Sequence, residues 1–394
     1  MQVAGIVCEY NPFHTGHAWQ LAQLRRRGAT GIVCAMSGNF TQRGDFAILR
    51  KHVRAEAAVR GGADLVLELP LPWATASAEG FARGGVEVLS AAGVVDTLAF
   101  GSECEDAGKL IRAAEALSSR FFSETLQGEL KKGDSFASAR QRALEKLIGE
   151  DAAVLLQPND ILGVEYCRTL RGTELSPLAL RRVGAAHDGA AANGYAPASC
   201  IREMLADREP CEEYLTSDML RLYKEELADG RAPVELSRSE RAILARLRSM
   251  KEEDFAAYDE GGEGLFHRFY NAIRTSASLA QLLDAVKTKR YAYTRLRRML
   301  LSAYLDIQTV DRAKQIPYLR VLAMNGRGRE LLHQMRAEAK LPILIKPIDA
   351  QKLSPAARRM MELEARATDL YVLSYPDLKC SVPGSEWRTG PVVL

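Results

Sequence analysis

Short apolar runs alternate with helical segments over roughly the first hundred residues, and this alternation constrains the fold most. The runs are rich in β-branched residues and apolar throughout, which is typical of strands buried on both faces of a parallel sheet. Strands are predicted at 2–9, 31–38, 63–70 and 94–103, with helices at 16–27, 46–62 and 76–93 between them. The pattern predicts a doubly wound α/β domain, whose ligands bind at the carboxyl ends of the strands.

The alternation becomes less regular after residue 105. The pattern predicts a long helical stretch to about residue 149, a strand within 175–189, helices at 158–172 and 197–209, and late strands at 341–345 and 369–374. From about residue 210 the chain is mostly helical and rich in charge. We therefore expect a sheet-containing domain over 1–210 and a mainly helical domain over 211–394.

Composition limits the class of protein. The 394 residues are 47% hydrophobic and 26% charged, with a net charge of only +3, so a nucleic-acid surface has to be a local patch. Seven cysteines without a CxxC spacing argue against a disulfide scaffold or a structural zinc site. No apolar run approaches about 18 residues, and the first ten residues lack a basic leader. We expect a soluble, cytoplasmic protein without a membrane span.

Two of the six histidines, His14 and His17, lie where the first strand passes into the first helix. A helix N-terminus offers unpaired N–H groups and partial positive charge, and two imidazoles there add donors for the same anion. Gly16 lets the backbone approach a ligand closely. The arrangement suits a triphosphate under attack at its α-phosphate. The alternatives are ordinary surface or capping histidines, or a zinc site with Glu9 as third ligand.

The stretch "HTGH" at 14–17 matches the H-x-G-H signature of the nucleotidylyltransferase superfamily, which shares its α/β fold with the class I aminoacyl-tRNA synthetases. A second superfamily motif is a serine-containing helix start followed by an arginine. "ASCIRE" at 198–203 resembles it through Ser199 and Arg202. The resemblance implies transfer of an adenylyl group from ATP with release of pyrophosphate.

A closer resemblance covers most of the chain. The segments that carry it are "GIVCEYNPFHTGH" (5–17), "GNFTQRGDFAILRKHVRAEAAVRGGADLVLELP" (38–70), "FGSE" (100–103), "PNDILGVEY" (158–166), "RRVGAAHD" (181–188) and "KRYAYTRLRRML" (289–300). These resemble the bacterial tRNA(Met) cytidine acetate ligase family. Such enzymes activate acetate as acetyl-adenylate and pass the acetyl group to the N4 amine of the wobble cytidine of elongator tRNA(Met).

The resemblance implies catalytic roles for His14 and His17 and a wider set of ATP-binding residues. That set is Val7, Cys8, Glu9, Tyr10, Asn11, Pro12, Phe13, His14, Thr15, Gly16, His17, Gln20, Gly101, Asn159, Arg182, Val183, Ser199 and Arg202. A helix cap remains the alternative for Asn159, and a solvated surface arginine for Arg182. The chain has Gln20 and Ala186 where the family often has a histidine and an aromatic residue, so the roles of Gln20 and His187 stay open.

The loop "SGNFTQRGD" (37–45) follows the second predicted strand and should lie over the same sheet edge. Gln42 and Arg43 are candidates to hold acetate or the acetyl-adenylate, because arginine suits a carboxylate. An ordered surface loop is the alternative. Lys51 and Arg54, three apart on the next helix, either contact phosphates or tRNA or form a solvated face.

The run "KTKRYAYTRLRRML" (287–300) concentrates basic residues and tyrosines. Basic side chains contact phosphates and tyrosines stack on unpaired bases, both of which an anticodon loop presents. The candidate tRNA-binding residues are Lys287, Lys289, Arg290, Tyr291, Arg295, Arg297 and Arg298. A solvated helix face is the alternative, and the tRNA interpretation requires these side chains to lie near one another.

The sequence thus favours an ATP-dependent ligase acting on acetate and elongator tRNA(Met), with Mg²⁺ accompanying ATP and no dedicated metal cluster. Two other functions stay open. One is a small-molecule nucleotidylyltransferase, which leaves the second domain and the basic run unexplained. The other is a non-catalytic RNA-binding protein. The intact His14, Gly16 and His17 argue against it, because RNA binding alone does not require them. Carboxylate selectivity, the basis of tRNA choice, the oligomeric state and the order of tRNA binding and adenylation are not predicted.

Overall fold

The structure is a computed structural model that describes residues 3–132, 136–182, 194–259, 264–289, 291–312 and 314–394. Within these residues the strands are β1 (Val3–Cys8), β2 (Gly31–Ser37), β3 (Phe40–Thr41), β4 (Asp45–Phe46), β5 (Leu65–Leu69), β6 (Thr97–Ser102), β7 (Ser176–Arg181), β8 (Leu319–Met324), β9 (Ile343–Leu344) and β10 (Val392–Val393).

Helices surround these strands. They are α1 (Thr15–Arg26), α2 (Lys51–Arg60), α3 (Leu71–Ala74), α4 (Ala78–Ala91), α5 (Ala107–Leu117), α6 (Arg120–Leu130), α7 (Phe136–Ile148), α8 (Pro158–Leu170), α9 (Ala198–Asp207), α10 (Ser217–Ala228), α11 (Glu240–Ser249), α12 (Glu252–Ala256), α13 (Leu265–Thr275), α14 (Leu279–Val286), α15 (Tyr293–Leu305), α16 (Thr309–Arg312), α17 (Gly326–Glu338) and α18 (Pro355–Tyr371).

The central sheet has the strand order β10-β8-β5-β2-β1-β6-β7, and β9 pairs with β8. The neighbours from β5 through β7 are all parallel. From β1 the chain winds outward first through β2 and β5, then returns to the other side for β6 and β7. The predicted doubly wound parallel sheet is therefore confirmed, and its switch point lies between β1 and β6.

The register at this switch point opens a crevice. β1 pairs with β2 along its whole length, from Val3 opposite Gly31 to Cys8 opposite Met36. Its pairing with β6 covers Ala4 and Gly5 only, near the amino ends of the two strands. The carboxyl ends of β1 and β6 are therefore free to separate, and ligands of doubly wound sheets bind at such a place.

Alternate residues of the buried strands pack on opposite faces of the sheet, as the two-residue period of a strand requires. On one face Ile32 and Cys34 join a core formed with α1, α2, α9 and α10. On the other face Val33 and Ala35 join a core formed with α4, α5, α8 and later helices. Both faces are covered by helices, which explains why the strand sequences are apolar throughout.

Segments beyond residue 210 contribute to the same sheet. β8 lies antiparallel to β5, with Leu65 opposite Met324, and β10 extends the sheet parallel to β8. The predicted boundary near residue 210 therefore does not coincide with the edge of the sheet, and the division into two domains stays a prediction. The helices α10 to α16 fill most of the chain between 217 and 312.

Three local expectations have clear outcomes. The long helical stretch predicted before residue 149 is present as α5, α6 and α7. A strand forms within 341–345 as β9, whereas the strand predicted at 369–374 is wrong, because those residues end α18 and continue as a 3₁₀ turn over Val372–Ser374. Among the described residues no helix is both long and apolar enough to cross a membrane.

Candidate active site

The crevice at the carboxyl ends of β1 and β6 contains a cavity of about 290 Å³. Glu9 follows β1, Gly101 lies near the end of β6, and His14 begins α1. A methyl group added at Gly101 would meet no atom of the described residues within 4 Å, so the missing side chain leaves space between these residues beside the cavity. Residues far apart in the sequence are thus brought together at the switch point.

Two histidine side chains close the turn between β1 and α1. His14 is the N-cap residue of α1, and its Nδ1 accepts a hydrogen bond from Gly16 N at 3.1 Å. His17 Nδ1 accepts from the backbone N–H of His14 at 3.3 Å, which completes a capping box. The two rings stack with their centroids 3.7 Å apart. A side chain on residue 16 would lie 2.9 Å from His14 Cε1, so glycine lets the ring cover the helix end.

The surroundings of the pair keep both imidazoles neutral. Burial, with smaller contributions from Arg182 and Arg202, lowers the pKa of His14 to about 3. Burial, His14 and Arg182 lower the pKa of His17 well below its ordinary value. Because each Nδ1 accepts a backbone hydrogen bond, the proton of each neutral ring is on Nε2. The capping role and a donor role therefore use different nitrogens, and both rings line the cavity.

Two arginines add positive charge to the cavity wall. Arg202 Nη1 donates to the carbonyl of Asn11 at 2.8 Å, which joins α9 to the turn after β1. Asn159 Nδ2 donates to Glu103 Oε1 at 2.6 Å, and Arg182 Nη1 lies 3.6 Å from the same oxygen. Glu103 thus orients Asn159 and Arg182 along one wall. Both residues have partners, so neither is only a helix cap or a solvated side chain.

The N-terminus of α9 is a second place for an anion. Its cap residue, Pro197, has no side chain that could bond the first N–H groups, and the structure shows no such bond. Ser199 lies in the first turn and lines a wider cleft next to the cavity, while Ala198 and Arg202 line both spaces. Uncapped N–H groups, a hydroxyl and a guanidinium together suit phosphate oxygens.

Glu9 connects the strand end to the predicted loop over the sheet. Its Oε1 accepts a hydrogen bond from Gln42 N at 2.7 Å. Burial raises the pKa of Glu9, and the Gln42 bond and the nearby Arg202, Arg54 and Arg43 oppose that rise. Gln42 and Arg43 line the cavity, and the loop they belong to is the β3–β4 hairpin.

Arg54 holds the ends of β1 and β2 in place. The side chain is 0% exposed, and its guanidinium donates to the carbonyls of Leu49 at 2.9 Å and Ser37 at 3.1 Å. It also donates to the carbonyls of Glu9 and Gly38. All of these acceptors are backbone groups, so Arg54 orders the loops around the cavity from behind.

Lys51 is buried in an ionic network away from the cavity. It is 1% exposed and its Nζ donates to Glu68 Oε1 at 2.6 Å and to Glu386. The expectation that Lys51 and Arg54 contact phosphates or tRNA, or form a solvated face, is therefore wrong. Both side chains point inward, because α2 is covered on the side where they lie.

Most residues of the predicted ATP-binding set surround the cavity. Those that line it are Val7, Cys8, Glu9, Tyr10, Asn11, His14, Gly16, His17, Gln20, Gly101, Asn159, Arg182 and Arg202. The remaining described members lie around them. Phe13 is 0% exposed and packs edge-on against Tyr10, Pro12 is buried beside it, and Thr15 Oγ1 donates to the carbonyl of Gly194 at 3.0 Å. Val183, Ala186 and His187 lie outside the described residues.

A wider cleft of about 1020 Å³ adjoins the cavity. Its walls come from the β3–β4 hairpin, α9, α14 and α15, and include Arg43, Tyr293 and Arg297. The hairpin touches α15 closely: at Gly44, where φ is +73°, a Cβ would lie 2.5 Å from the backbone of Arg297. The cleft leads from the surface to the cavity at the carboxyl ends of β1 and β6.

The basic run divides between two faces of α15. Arg297 lines the wide cleft and lies 3.3 Å from Asp45 of the hairpin. Arg295 and Arg298 instead line a small hollow with Asp259, and Arg295 lies 3.7 Å from that carboxylate. The proximity that the tRNA interpretation required is therefore met only in part.

The residues before α15 also differ in accessibility. Tyr291 is 4% exposed and lies under Arg295, so its ring is not on the surface, whereas Tyr293 is 41% exposed. Lys287 Nζ donates to the carbonyl of Tyr291 at 2.6 Å, and Lys289 is exposed. Arg290 lies outside the described residues.

Several cavity residues were not predicted from the sequence. They are Ile6, Trp19, Phe81, Phe100, Leu162, Tyr166, Arg181, Tyr195, Ala196 and Ala198. Tyr166 is 2% exposed, and its hydroxyl has no hydrogen-bond partner among the described residues. A signal was present in that case, since Tyr166 ends the family-like segment at 158–166 and lies two helical turns from Asn159, on the same face of α8. The position of Phe81 at the cavity could not be predicted, because an aromatic residue on an amphipathic helix is usually part of the hydrophobic core.

The described residues contain no group of three or more histidine, cysteine, aspartate or glutamate side chains able to hold a metal ion. The carboxylates at the cavity already have protein partners: Glu9 accepts from Gln42 N, and Glu103 holds Asn159. The zinc alternative for the two histidines has no support, because each Nδ1 is engaged as an acceptor and Glu9 is directed toward the hairpin.

A doubly wound sheet with histidine donors at the first helix N-terminus defines the class of the protein. A sequence model of the family described as HIGH Nucleotidyl Transferase matches residues 1–383. The chain therefore belongs to the HIGH nucleotidyl transferase family, as the H-x-G-H motif indicated.

Individual relatives within this family are similar to the chain over most of its length. A protein of Fervidobacterium nodosum named tRNA(Met) cytidine acetate ligase is 37% identical over 87% of this chain and 84% of the relative. A protein of the same name from Acetivibrio thermocellus is 34% identical over the whole of both chains. The crystal structure of Thermotoga maritima TmcAL superposes with a TM-score of 0.95 at 33% identity over the whole of both chains. The same protein bound with alpha-thio ATP gives a TM-score of 0.94.

Proposed function

We propose that the protein is an ATP-dependent tRNA(Met) cytidine acetate ligase. It activates acetate as acetyl-adenylate with release of pyrophosphate, and transfers the acetyl group to the N4 amine of the wobble cytidine of elongator tRNA(Met). The observation that carries the proposal is the pair of neutral histidine donors at the β1–β6 crevice, in a chain whose full-length relatives bear that name. The products of the two steps are pyrophosphate, AMP and N4-acetylcytidine.

In the adenylation step an acetate oxygen attacks the α-phosphorus of ATP and the bond to the β-phosphate breaks. Negative charge grows on the phosphoryl oxygens, and Nε2–H of His14 and of His17 donates to them. Neutral donors that are already oriented stabilise this charge without reorganisation. The N-terminus of α9, with Ser199 and Arg202, holds the leaving pyrophosphate.

The remaining cavity residues bind the nucleoside. The open space at Gly101 lets the ribose approach β6, and Asn159, fixed by Glu103, offers a donor and an acceptor. Arg182 lies on the same wall and pairs with a phosphate. Gln42 and Arg43 also line the cavity, and they bind acetate or its adenylate.

The tRNA enters through the wide cleft. Arg297, Lys289 and Tyr293 are the members of the basic run best placed for phosphate and base contacts, since Arg297 and Tyr293 line the cleft and Lys289 is exposed. When tRNA is bound it covers the cleft and so excludes water from the reactive adenylate.

Mg²⁺ enters with ATP as a counter-ion of its phosphates. Among the described residues no three acidic, histidine or cysteine side chains come together to form a protein-held site. We therefore assign no step to the ion. The dependence of pyrophosphate release on Mg²⁺ concentration, at fixed ATP, tests this assignment.

The decisive experiment measures pyrophosphate release from ATP with and without acetate, and with and without bacterial tRNA. The ligase function requires release that depends on acetate and acetylated cytidine in the recovered tRNA, both lost in His14→Ala and His17→Ala. Release that does not respond to acetate supports a small-molecule nucleotidylyltransferase. Absence of release under every condition, with tRNA still bound, supports a non-catalytic RNA-binding protein.

A further inference from the structure

The second step of the proposed reaction needs a proton acceptor. The exocyclic amine of cytidine carries two protons and is amide-like, so it attacks an acyl carbon well only when one proton is removed as the bond forms. A positioned side chain that accepts such a proton typically contributes about 10²- to 10⁴-fold in rate. The acceptor has to reach both the adenylate and the incoming base.

We propose that Glu9 is the general base of acetyl transfer, an inference that rests on the ligase function proposed above. The nucleotide cavity and the wide cleft share a small set of lining residues: Glu9, Asn11, Arg43, Asn159, Arg182, Ala198 and Arg202. Glu9 is the carboxylate of this set, and arginine, asparagine and alanine side chains accept no proton at neutral pH. It lies where an acyl group on the nucleotide meets a base entering from the cleft.

The two histidines are not available for this task. Each Nδ1 accepts a backbone hydrogen bond and each Nε2 carries the remaining proton of the neutral ring. A further proton has to displace one of the capping bonds, and burial opposes the charged ring. The histidines therefore donate during adenylation, and the proton of the second step needs another acceptor.

The carboxylates of the wide cleft are less well placed. Asp45 is paired with Arg297 at 3.3 Å, and Glu240 accepts from Leu279 N at 2.8 Å. Asp284 accepts the hydroxyl proton of Tyr293. These side chains, together with Glu203 and Glu235, line the cleft and not the nucleotide cavity.

Within the described part of the chain, the hydrogen bonds of Glu9 engage one of its two oxygens and leave the other for the proton. Oε1 accepts from Gln42 N at 2.7 Å, which fixes the carboxylate toward the hairpin. Burial raises the pKa of Glu9 and makes it a stronger base than an exposed glutamate. The charged groups that face it are Arg202 on α9, Arg54 on α2 and Arg43 in the hairpin, and Tyr166 on α8 is also near. Burial raises the pKa of Tyr166 well above its ordinary value, so Glu9 is the acidic side chain of this set.

The step balances without a further reactant. As the N4 nitrogen bonds to the acetyl carbon, the bond from that carbon to the oxygen bridging to phosphorus breaks, and the electron pair leaves with AMP. One N4 proton passes to the carboxylate of Glu9 and then to solvent. The products are N4-acetylcytidine and AMP.

The test separates the two steps in Glu9→Gln, which keeps an oxygen for the Gln42 bond. Acetate-dependent exchange of pyrophosphate with ATP reports adenylation without tRNA. Mixing enzyme loaded with radiolabelled acetyl-adenylate and unmodified elongator tRNA(Met) reports transfer in a single turnover. We expect transfer to fall about 10²-fold or more and exchange to fall far less. Glu362→Gln, at an exposed position of α18, is the matched carboxylate control.

The pH dependence adds a readout that a structural role would not produce. In the unaltered protein, the transfer rate should rise as pH rises through the pKa of Glu9 and then level off. Glu9→Gln should lack this rise. Glu9→Asp, which retains a shortened carboxylate, should keep the rise with an intermediate rate and shows whether loss in the amide variant reflects misfolding.

Each contrary result has a definite meaning. Unchanged transfer in Glu9→Gln, or equal losses in exchange and transfer, overturns the role of Glu9 as base. So does an aspartate variant that behaves like the amide. If the unaltered protein shows no acetate-dependent exchange either with or without tRNA, the ligase function itself is wrong, and that failure is visible before any variant is measured.

Discussion

At the scale of single residues, the histidine pair combines a structural and a chemical role by using its two ring nitrogens differently. Nδ1 of His14 and of His17 closes the start of α1, and the protonated Nε2 atoms remain for a ligand. Burial of the rings and two nearby arginines keep them neutral. A neutral donor suits an anion that changes during the reaction, because it binds the charge without competing for the proton.

Replacing His14 by asparagine should separate the two roles. Asparagine is a good N-cap residue, so α1 should keep its start, but the Nε2 donor is lost. We expect acetate-dependent pyrophosphate exchange to fall about 10²- to 10³-fold while the midpoint of thermal unfolding changes little. A loss of activity matched by a large loss of stability would assign His14 to the fold alone.

The lowered pKa of His14 predicts how stability depends on pH. Its pKa is about 3 in the folded protein, against about 6.5 in an unfolded chain. Between these values the unfolded state binds more protons, so acidification from about pH 6.5 toward pH 3 destabilises the fold, by at most about 1.4 kcal/mol per pH unit from this group. The free energy of unfolding, measured in urea, should depend less steeply on pH in His14→Asn than in the unaltered protein. Parallel curves would contradict the shifted pKa.

At the scale of elements, the β3–β4 hairpin joins the proposed nucleotide cavity to the wide cleft. It reaches the cavity through Gln42 and Arg43, and touches α15 at Gly44. Phe46 packs on Tyr304 of α15 with ring centroids 6.5 Å apart. The hairpin is therefore held between the strand end that carries Glu9 and the helix that lines the proposed tRNA entrance.

Gly44→Ala should disturb the contact between the β3–β4 hairpin and α15. The added Cβ would lie 2.5 Å from the backbone of Arg297, and φ is +73°. Gly149→Ala is the matched control, because φ there is +59° and a Cβ meets nothing within 4 Å. We expect Gly44→Ala to lose about 1–3 kcal/mol more unfolding free energy than the control. Equal losses would show that α15 does not constrain the hairpin.

Arg297 should contribute to tRNA binding and not to adenylation. We expect Arg297→Ala to weaken tRNA affinity and to reduce the slope of log affinity against log salt by about 1, as loss of one phosphate contact does. Exchange of pyrophosphate in the absence of tRNA should stay the same. Arg120→Ala, at a highly exposed arginine of α6, is the control. An unchanged salt slope would remove Arg297 from the interface.

At the scale of the whole molecule, the end of the chain is tied to the sheet through buried charge. Glu386, 1% exposed, bonds to Lys51 of α2 and to Arg320 of β8, and Lys51 also bonds to Glu68 of β5. Thr368 of α18 donates to Glu386 at 2.9 Å. The network joins segments from both halves of the sequence.

Glu386→Gln should destabilise the whole fold. Removing one partner of a buried ionic network leaves other charges uncompensated, which typically costs about 3–5 kcal/mol. The exposed pair of Glu330 with Arg327 provides the comparison, and Glu330→Gln should cost less than about 1 kcal/mol. Chemical unfolding of both variants measures the difference. A small effect at Glu386 would mean that water or a neighbour replaces the lost charge.

The sequence by itself determined the features that depend on neighbours along the chain. The apolar runs of β1, β2, β5 and β6, the helices between them and the HTGH turn are local patterns, and they were enough to predict the sheet and its ligand-binding edge. Most of the predicted cavity residues were carried over from the resemblance to the ligase family. Family resemblance supplied the chemistry.

Tertiary structure decided what depends on residues distant in the sequence. From the sequence Lys51 resembles a surface lysine, but in the structure it pairs in the core with Glu386, which is 335 positions away. Tyr291 was predicted to stack on a base, but the fold buries its side chain. The region of β8 was predicted to be mostly helical, but its residues form a strand because β5 provides an antiparallel partner. Charge and aromaticity are properties of a residue, whereas burial and pairing are properties of the packed chain, so only the fold assigns them.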